Sequence, residues 1–176
     1  MFILNDAYEG LRHDAVQAFS WSCRRGGYEV GLGQDIHIDD VPVQDVWVRL
    51  EADRSSVLID VRTRAEWSFV GLPDLAEIGK RVVTVEWQTF PDNRIDPAFA
   101  DRLATLLDAA GVAKDAELFF ICRSGGRSRM AAEATAAAGY ARCRNVADGF
   151  EGPLDAKRHR GRLAGWKSAG LPWTQG

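Results

Sequence analysis

The chain has 176 residues, 46% of them hydrophobic and 27% charged, with a formal net charge of −3. That is about one domain's length, long enough to bury roughly two thirds of its unfolded surface without staples. A charge this small gives no ground for a nucleic-acid or membrane-surface partner. No apolar run approaches the ~20 residues of a membrane span. Met1 to Leu4 is apolar, but Asn5, Asp6, Glu9 and Asp14 follow at once, unlike a secretory signal. Three cysteines, Cys23, Cys122 and Cys143, make a poor disulfide framework. A cytoplasmic location is the expectation.

Residues 1–34 read as an N-terminal extension, irregular or with one short helix around residues 8–19. Arg24-Arg25-Gly26-Gly27 and Gly31-Leu32-Gly33 interrupt any regular pattern there. The domain is expected to span residues 35–176. Ile36-His37-Ile38 alternates like a short strand. Asp40 reads as the N-cap of a helix with Pro42 in its first turn, and Val43, Val46, Trp47 and Leu50 share one face of it.

Val57-Leu58-Ile59 is a short continuous apolar run, as expected of a strand covered on both faces. Val82 to Val85 and Leu118 to Ile121 read the same way, and Cys143 to Val146 is a weaker strand. Residues 97–110 carry Phe99, Leu103, Leu106 and Leu107 on one helical face, stopped by Gly111. Residues 128–138 form an alanine-rich helix stopped by Gly139. Strands alternating with helices imply an α/β fold, a parallel sheet flanked by helices on both faces. Between Pro153 and Lys167, five cations stand against one acid, Asp155. The plain reading is a solvated turn or helix face; the alternative is an anion-attracting rim.

The chemistry concentrates in Cys122-Arg123-Ser124-Gly125-Gly126-Arg127-Ser128, between a buried strand and a helix. Ligands of open α/β sheets bind at the carboxyl ends of the strands, where Cys122 falls. A backbone curled around the sulfur points its N–H groups inward as an anion nest, and Gly125 and Gly126 permit the crowded dihedrals this needs. The helix N-terminus adds positive potential, and Arg123 and Arg127 add full charges. Each term favours thiolate over thiol and so a nucleophile that needs no histidine base. Arg123 is expected to contact an anionic donor. Arg127 mixes an electrostatic role with a structural one, through an acid beneath the loop. Ser128 is either a hydrogen-bond donor to the site or only the helix cap.

This loop resembles the active-site loop of the rhodanese family of sulfurtransferases. Two further stretches agree: Val57 to Trp67, with its Asp60-Val-Arg62 and Glu66-Trp67, and the closing segment of Asn145 to Gly152 with Gly165 to Pro172. The resemblance runs from about Ile36 to Trp173. It implies a single rhodanese-like domain with a central parallel sheet of about five strands. It implies a two-step reaction in which Cys122 takes a sulfane sulfur from a donor such as thiosulfate or a persulfide. A thiol or cyanide acceptor then removes it. Residues 123 to 128 would hold the persulfide, and Asp60, Arg62 and Glu66 would form a supporting network. No metal or organic cofactor is implied. The partners would be a small-molecule sulfur donor and a thiol acceptor, or a sulfur-relay protein.

Departures from the family pattern lie at the rim. Residues 69–79 and 85–94 are unusual, and residues 153–163 resemble an insertion; Trp87 and Phe90 are expected to wall the pocket. Cys143 reads as core. The scattered His13, His37 and His159 lack zinc-ligand spacing. Two other functions compete. A rhodanese-fold phosphatase or arsenate reductase would carry C-x5-R, whereas Arg127 completes C-x4-R here. A non-catalytic rhodanese-like binding module would not need the cysteine, both glycines and both arginines that this chain keeps.

Overall fold

The computed structural model describes residues 36–176. The expected extension, its short helix, Cys23 and His13 lie outside the described residues. Strand β1 (Asp39–Val41) leads into helix α1 (Val43–Ala52), then β2 (Val57–Asp60), α2 (Arg64–Val70) and β3 (Leu72–Pro73). A 3-10 turn at Ala76–Ile78 precedes β4 (Val83–Thr84), α3 (Phe99–Ala109), β5 (Glu117–Ile121), α4 (Gly126–Ala137), β6 (Arg142–Val146) and β7 (Trp173–Thr174).

Five strands form one sheet in the order β1-β6-β5-β2-β4, and every pair in it is parallel. Strands β3 and β7 form a separate antiparallel pair. The apolar runs explain the central position of β2 and β5. Alternate residues of a strand face opposite ways, and both faces here are covered. Ile59, Leu118 and Phe120 pack with Phe99, Leu103 and Leu107 of α3 and Ala131 and Ala132 of α4. On the other face Leu58, Phe119 and Ile121 pack with Val43, Val46 and Leu50 of α1, and with Phe150 and Trp166. Val70 of α2 joins this second face. The expected α/β sheet with helices on both faces is therefore present.

Four local expectations are corrected. The first strand is Asp39–Val41, three residues beyond Ile36-His37-Ile38. It lies at the sheet edge and pairs only with β6, so its backbone register decides it rather than apolar alternation. Asp40 is therefore a strand residue; α1 starts after Pro42 and has no side-chain cap. Leu106 is exposed, because α3 buries Phe99, Leu103 and Leu107 and turns Leu106 away from the sheet. Helix α4 begins at Gly126, with Gly125 as its N-cap at φ 98°, so Ser128 is an internal helix residue and not the cap. Among the described residues, no helix is long and apolar enough to cross a membrane.

Candidate functional site

Cys122 follows directly on β5, the middle strand of the sheet, and its side chain is 1% exposed. Two donors reach its sulfur. The Gly125 N–H and the Ser128 hydroxyl each lie 3.2 Å from Sγ. Gly125 is held in the left-handed region, where glycine carries no Cβ penalty. Its turn points the N–H back at the sulfur while α4 starts one residue on.

The Ser128 hydroxyl has one proton and three acceptors: Sγ, the Gly125 carbonyl at 3.0 Å and the Asn145 Oδ1 at 2.6 Å. Asn145 on β6 keeps its oxygen toward Ser128 because its amide donates to Asp40 at 2.6 Å. Asp40 in turn pairs with Arg129 at 2.6 Å. A polar chain thus runs from the exposed edge strand to the buried cysteine. Asn145 was part of the closing segment on the sequence, but without a role. Its 3% exposure is the signal, since buried amides are normally fully bonded.

The loop is braced from behind by residues 149–152. Phe150 N–H donates to the Cys122 carbonyl at 2.7 Å, and the N–H groups of Glu151 and Gly152 donate to the Arg123 carbonyl at 2.9 and 3.1 Å. Gly149 makes this approach possible. A Cβ there would sit 2.3 Å from the Cys122 carbonyl oxygen, and its φ is 61°. Gly149→Ala should cost roughly 1–2 kcal/mol of backbone conformation and about 1–3 kcal/mol of overlap. The urea midpoint should fall at unchanged slope, with a displaced cysteine loop.

The three supporting residues form two separate pairs. Asp60 and Arg62 are both fully buried and bonded through Arg62 Nε (3.0 Å) and Nη2 (2.6 Å). The same Nη2 donates to the Gly71 carbonyl at 2.7 Å, and the guanidinium lies 4.1 Å over the Phe150 ring. Asp60 pairs in register with Ile121, the residue before Cys122. This ion pair therefore ties β2, the end of α2 and the brace behind the cysteine.

Glu66 belongs to the second pair. Its carboxylate takes both Arg127 Nη groups, at 2.8 and 2.6 Å, in a bidentate clamp. Thr63 closes a capping box with the same residue at the start of α2, a helix start that the sequence reading did not identify. Burial works to raise the Glu66 pKa, but the bonds from Arg127 and Thr63 prevail and hold it at about 2. Burial also works to lower the Arg127 pKa; Glu66 outweighs it and the net shift is upward. A folded-state value depressed from 4.5 means that the pair contributes its full stability above about pH 4.5 and loses it as pH falls toward about 2. Glu66→Gln should therefore lower the urea midpoint at pH 6, and the gap to the unmutated protein should close between pH 4.5 and pH 2.

A cavity of about 700 Å³ opens above Cys122. Arg123, Ser124, Gly126 and Arg127 of the loop line it, while Gly125 and Ser128 lie buried beneath. Phe90 is on the wall, but Trp87 is not: it is buried in the core, edge-to-face with Phe99 at 4.9 Å. The expectation that both aromatics wall the pocket is half corrected, because Trp87 points under the sheet where α3 packs. The surrounding wall adds Gln88 and Asn93 from the unusual 85–94 segment, and Arg160 from the 153–163 segment. Arg160 was only one of five cations on the sequence, and nothing local marked it out.

Cys143 lies apart from this chemistry. It is 2% exposed on β6, and burial pushes its thiol up to about 12, against a smaller opposing pull from Arg144. That describes a core thiol.

Comparison with known proteins agrees with this architecture. The structure of Rv0390 from M. tuberculosis is 45% identical, with a TM-score of 0.70, covering 80% of this chain and 100% of that one. The uncharacterized protein RC0915 of Rickettsia conorii is 38% identical over 124 residues, 70% of this chain and 87% of its own. The chloroplastic rhodanese-like domain-containing protein 4 of Arabidopsis thaliana is 27% identical over 135 residues, 75% of this chain and 25% of that protein. The family model of the STR4 middle domain matches residues 40–176. With that match running from the edge strand to the last residue, the chain belongs to the STR4 middle-domain family and has a rhodanese-like fold.

Proposed function

We propose that the protein is a sulfurtransferase that carries a sulfane sulfur on Cys122. The observation that carries this reading is the sulfur itself. It sits at the foot of an open cavity, at the end of the central strand, with the Gly125 N–H and Ser128 hydroxyl 3.2 Å away. The Gly125 N–H is aimed in advance at the atom that carries charge during the transfer. The Cys122 thiolate attacks the outer sulfur of the donor. The donor's bond to that sulfur breaks, and the leaving group, sulfite in the case of thiosulfate, departs with the electron pair. The persulfide on Cys122 rests against the loop residues 123 to 128. An acceptor thiolate or cyanide then attacks the terminal sulfur, and the electron pair of the Sγ–S bond returns to Cys122.

The roles divide accordingly. Cys122 is the nucleophile. Arg123 has no ion-pair partner among the described residues and binds the anionic part of the donor. Arg127, held by Glu66, sets the field and shape of the loop. Asp60 and Arg62 hold the cysteine's backbone in place through Phe150. The loop spacing weighs against phosphoryl transfer. Arg127 completes C-x4-R, one residue shorter than the C-x5-R of a phosphatase loop, while one N–H on each of its Nη groups holds Glu66.

The test is intact mass after incubation with thiosulfate, or with glutathione persulfide, and removal of excess donor. Addition of one sulfur atom, reversed by cyanide, is expected. No addition from either donor, together with hydrolysis of a phosphate ester, would overturn the reading.

A further inference from the structure

Residues 153–163 are wound around one carboxylate. Asp155 Oδ1 accepts from the N–H groups of Lys157 at 2.9 Å and His159 at 2.7 Å. The Asp155 N–H donates to the His159 carbonyl at 2.8 Å, and the Arg158 N–H donates to the Asp155 carbonyl at 2.9 Å. Arg162 approaches Oδ2 at 3.5 Å. The segment is fastened to the loop brace by the Gly161 N–H, which donates to the Glu151 carbonyl at 2.6 Å. This is a built turn with its own acid at the centre, and it delivers Arg160 to the cavity above Cys122.

Arg160 differs from its neighbours in how its charge is used. Arg162 and His159 face Asp155. Arg160 is half-buried, and one Nη donates to the Gly152 carbonyl at 2.5 Å. Among the described residues, no carboxylate lies within ion-pair distance of Arg160 or Arg123. A guanidinium has five N–H donors in a fixed fork, so most of those of Arg160 are free for a ligand. Glu151 shares the wall, and Glu66 is clamped by Arg127. With Arg123, Arg127 and Arg160 against these two acids, the cavity that holds the nucleophile keeps a net positive lining.

The cavity is also large for an inorganic donor. At roughly 30 Å³ per water-sized group, a five-atom anion such as thiosulfate fills about a fifth of 700 Å³. Phe90, Val70 and Ala65 give part of the wall an apolar lining. A ligand that fills this space has an organic body and an anionic group removed from its reactive sulfur.

Resting on the sulfurtransferase reading, we propose that Arg160 is a donor-specificity residue: with Arg123 it binds the carboxylate of an organic persulfide whose outer sulfur meets Cys122. In the transfer step the Cys122 thiolate attacks the outer sulfur of R–S–SH. The S–S bond breaks, R–S⁻ leaves with the electron pair, and the proton stays on the transferred sulfur. The balance needs no oxidant or reductant.

The test compares kcat/KM for glutathione persulfide, which carries carboxylates, with that for ethyl persulfide, which carries none. Unmutated protein, Arg160→Gln and Arg160→Lys are measured side by side. The loss in Arg160→Gln should be at least about tenfold greater for glutathione persulfide than for ethyl persulfide, a step of the size expected for one charge-assisted contact. Arg160→Lys should recover part of that difference, since it restores charge without the fork. Equal losses on both donors in Arg160→Gln, or none, would overturn the inference. If thiosulfate loads Cys122 and neither organic persulfide does, the donor assignment falls and the sulfurtransferase reading stands. If no donor loads Cys122, both fall.

Discussion

Cys122→Ser should abolish sulfur loading while leaving the fold in place. Serine is close in size, and its oxygen can still accept from the Gly125 N–H and the Ser128 hydroxyl, which lie 3.2 Å from the native sulfur. A near-isosteric change at a site 1% exposed should cost less than about 1.5 kcal/mol, so circular dichroism and the urea midpoint should move little. The rate should fall by at least about a thousandfold, because an alcohol at neutral pH supplies almost no anionic nucleophile. The measurement is single-turnover transfer to cyanide, with intact mass after the first step. Transfer by Cys122→Ser near the unmutated rate would remove Cys122 from the mechanism. Cys143 is a poor substitute, since burial holds its thiol near 12.

The largest stability effect is expected at Arg62. The Asp60–Arg62 pair has no exposed side-chain surface on either partner. Replacing Arg62 by methionine leaves the Asp60 carboxylate buried without its cation, and breaking such a pair typically costs about 3–5 kcal/mol. It also empties the space over Phe150 and frees the Gly71 carbonyl. The double change Asp60→Val with Arg62→Met should recover most of the loss, since removing both charges removes the desolvation cost along with the attraction. Urea unfolding of the three variants checks the sign of that recovery. Sulfur loading should stay impaired in the double variant, because the Phe150 brace on the Cys122 carbonyl has lost the guanidinium beneath it. A single Arg62→Met that unfolds with the unmutated midpoint would sink this account.

Much of the fold is legible in the chain because buried parallel strands need continuous apolar runs. Val57 to Ile59 and Leu118 to Ile121 could hardly be solvated, and they form the two central strands. The edge is different. Asp39 and Asp40 of β1 carry no apolar pattern; they are held by backbone pairing to β6 and by ion pairs with Arg144 and Arg129. Ile36-His37-Ile38 had the more strand-like sequence, yet it is Ile38 alone among them that is buried. Local pattern misplaced this strand because an edge strand answers to its partner's register.

The candidate site divides the same way. By itself the sequence determined the cysteine loop: a buried strand must end, two glycines must turn the chain, and a helix must begin, so seven consecutive residues set the turn that brings the Gly125 N–H and the Ser128 hydroxyl to the Cys122 sulfur. Only the tertiary structure decided which charges meet. Glu66 reaches Arg127 across 61 residues, Asp40 reaches Asn145 across 105, and Arg160 reaches the cavity from a turn centred on Asp155. The backbone geometry of this loop is dictated by neighbours in the chain, and is written there. Electrostatic pairing is dictated by distance in space, and appears only once the sheet has brought its strand ends together.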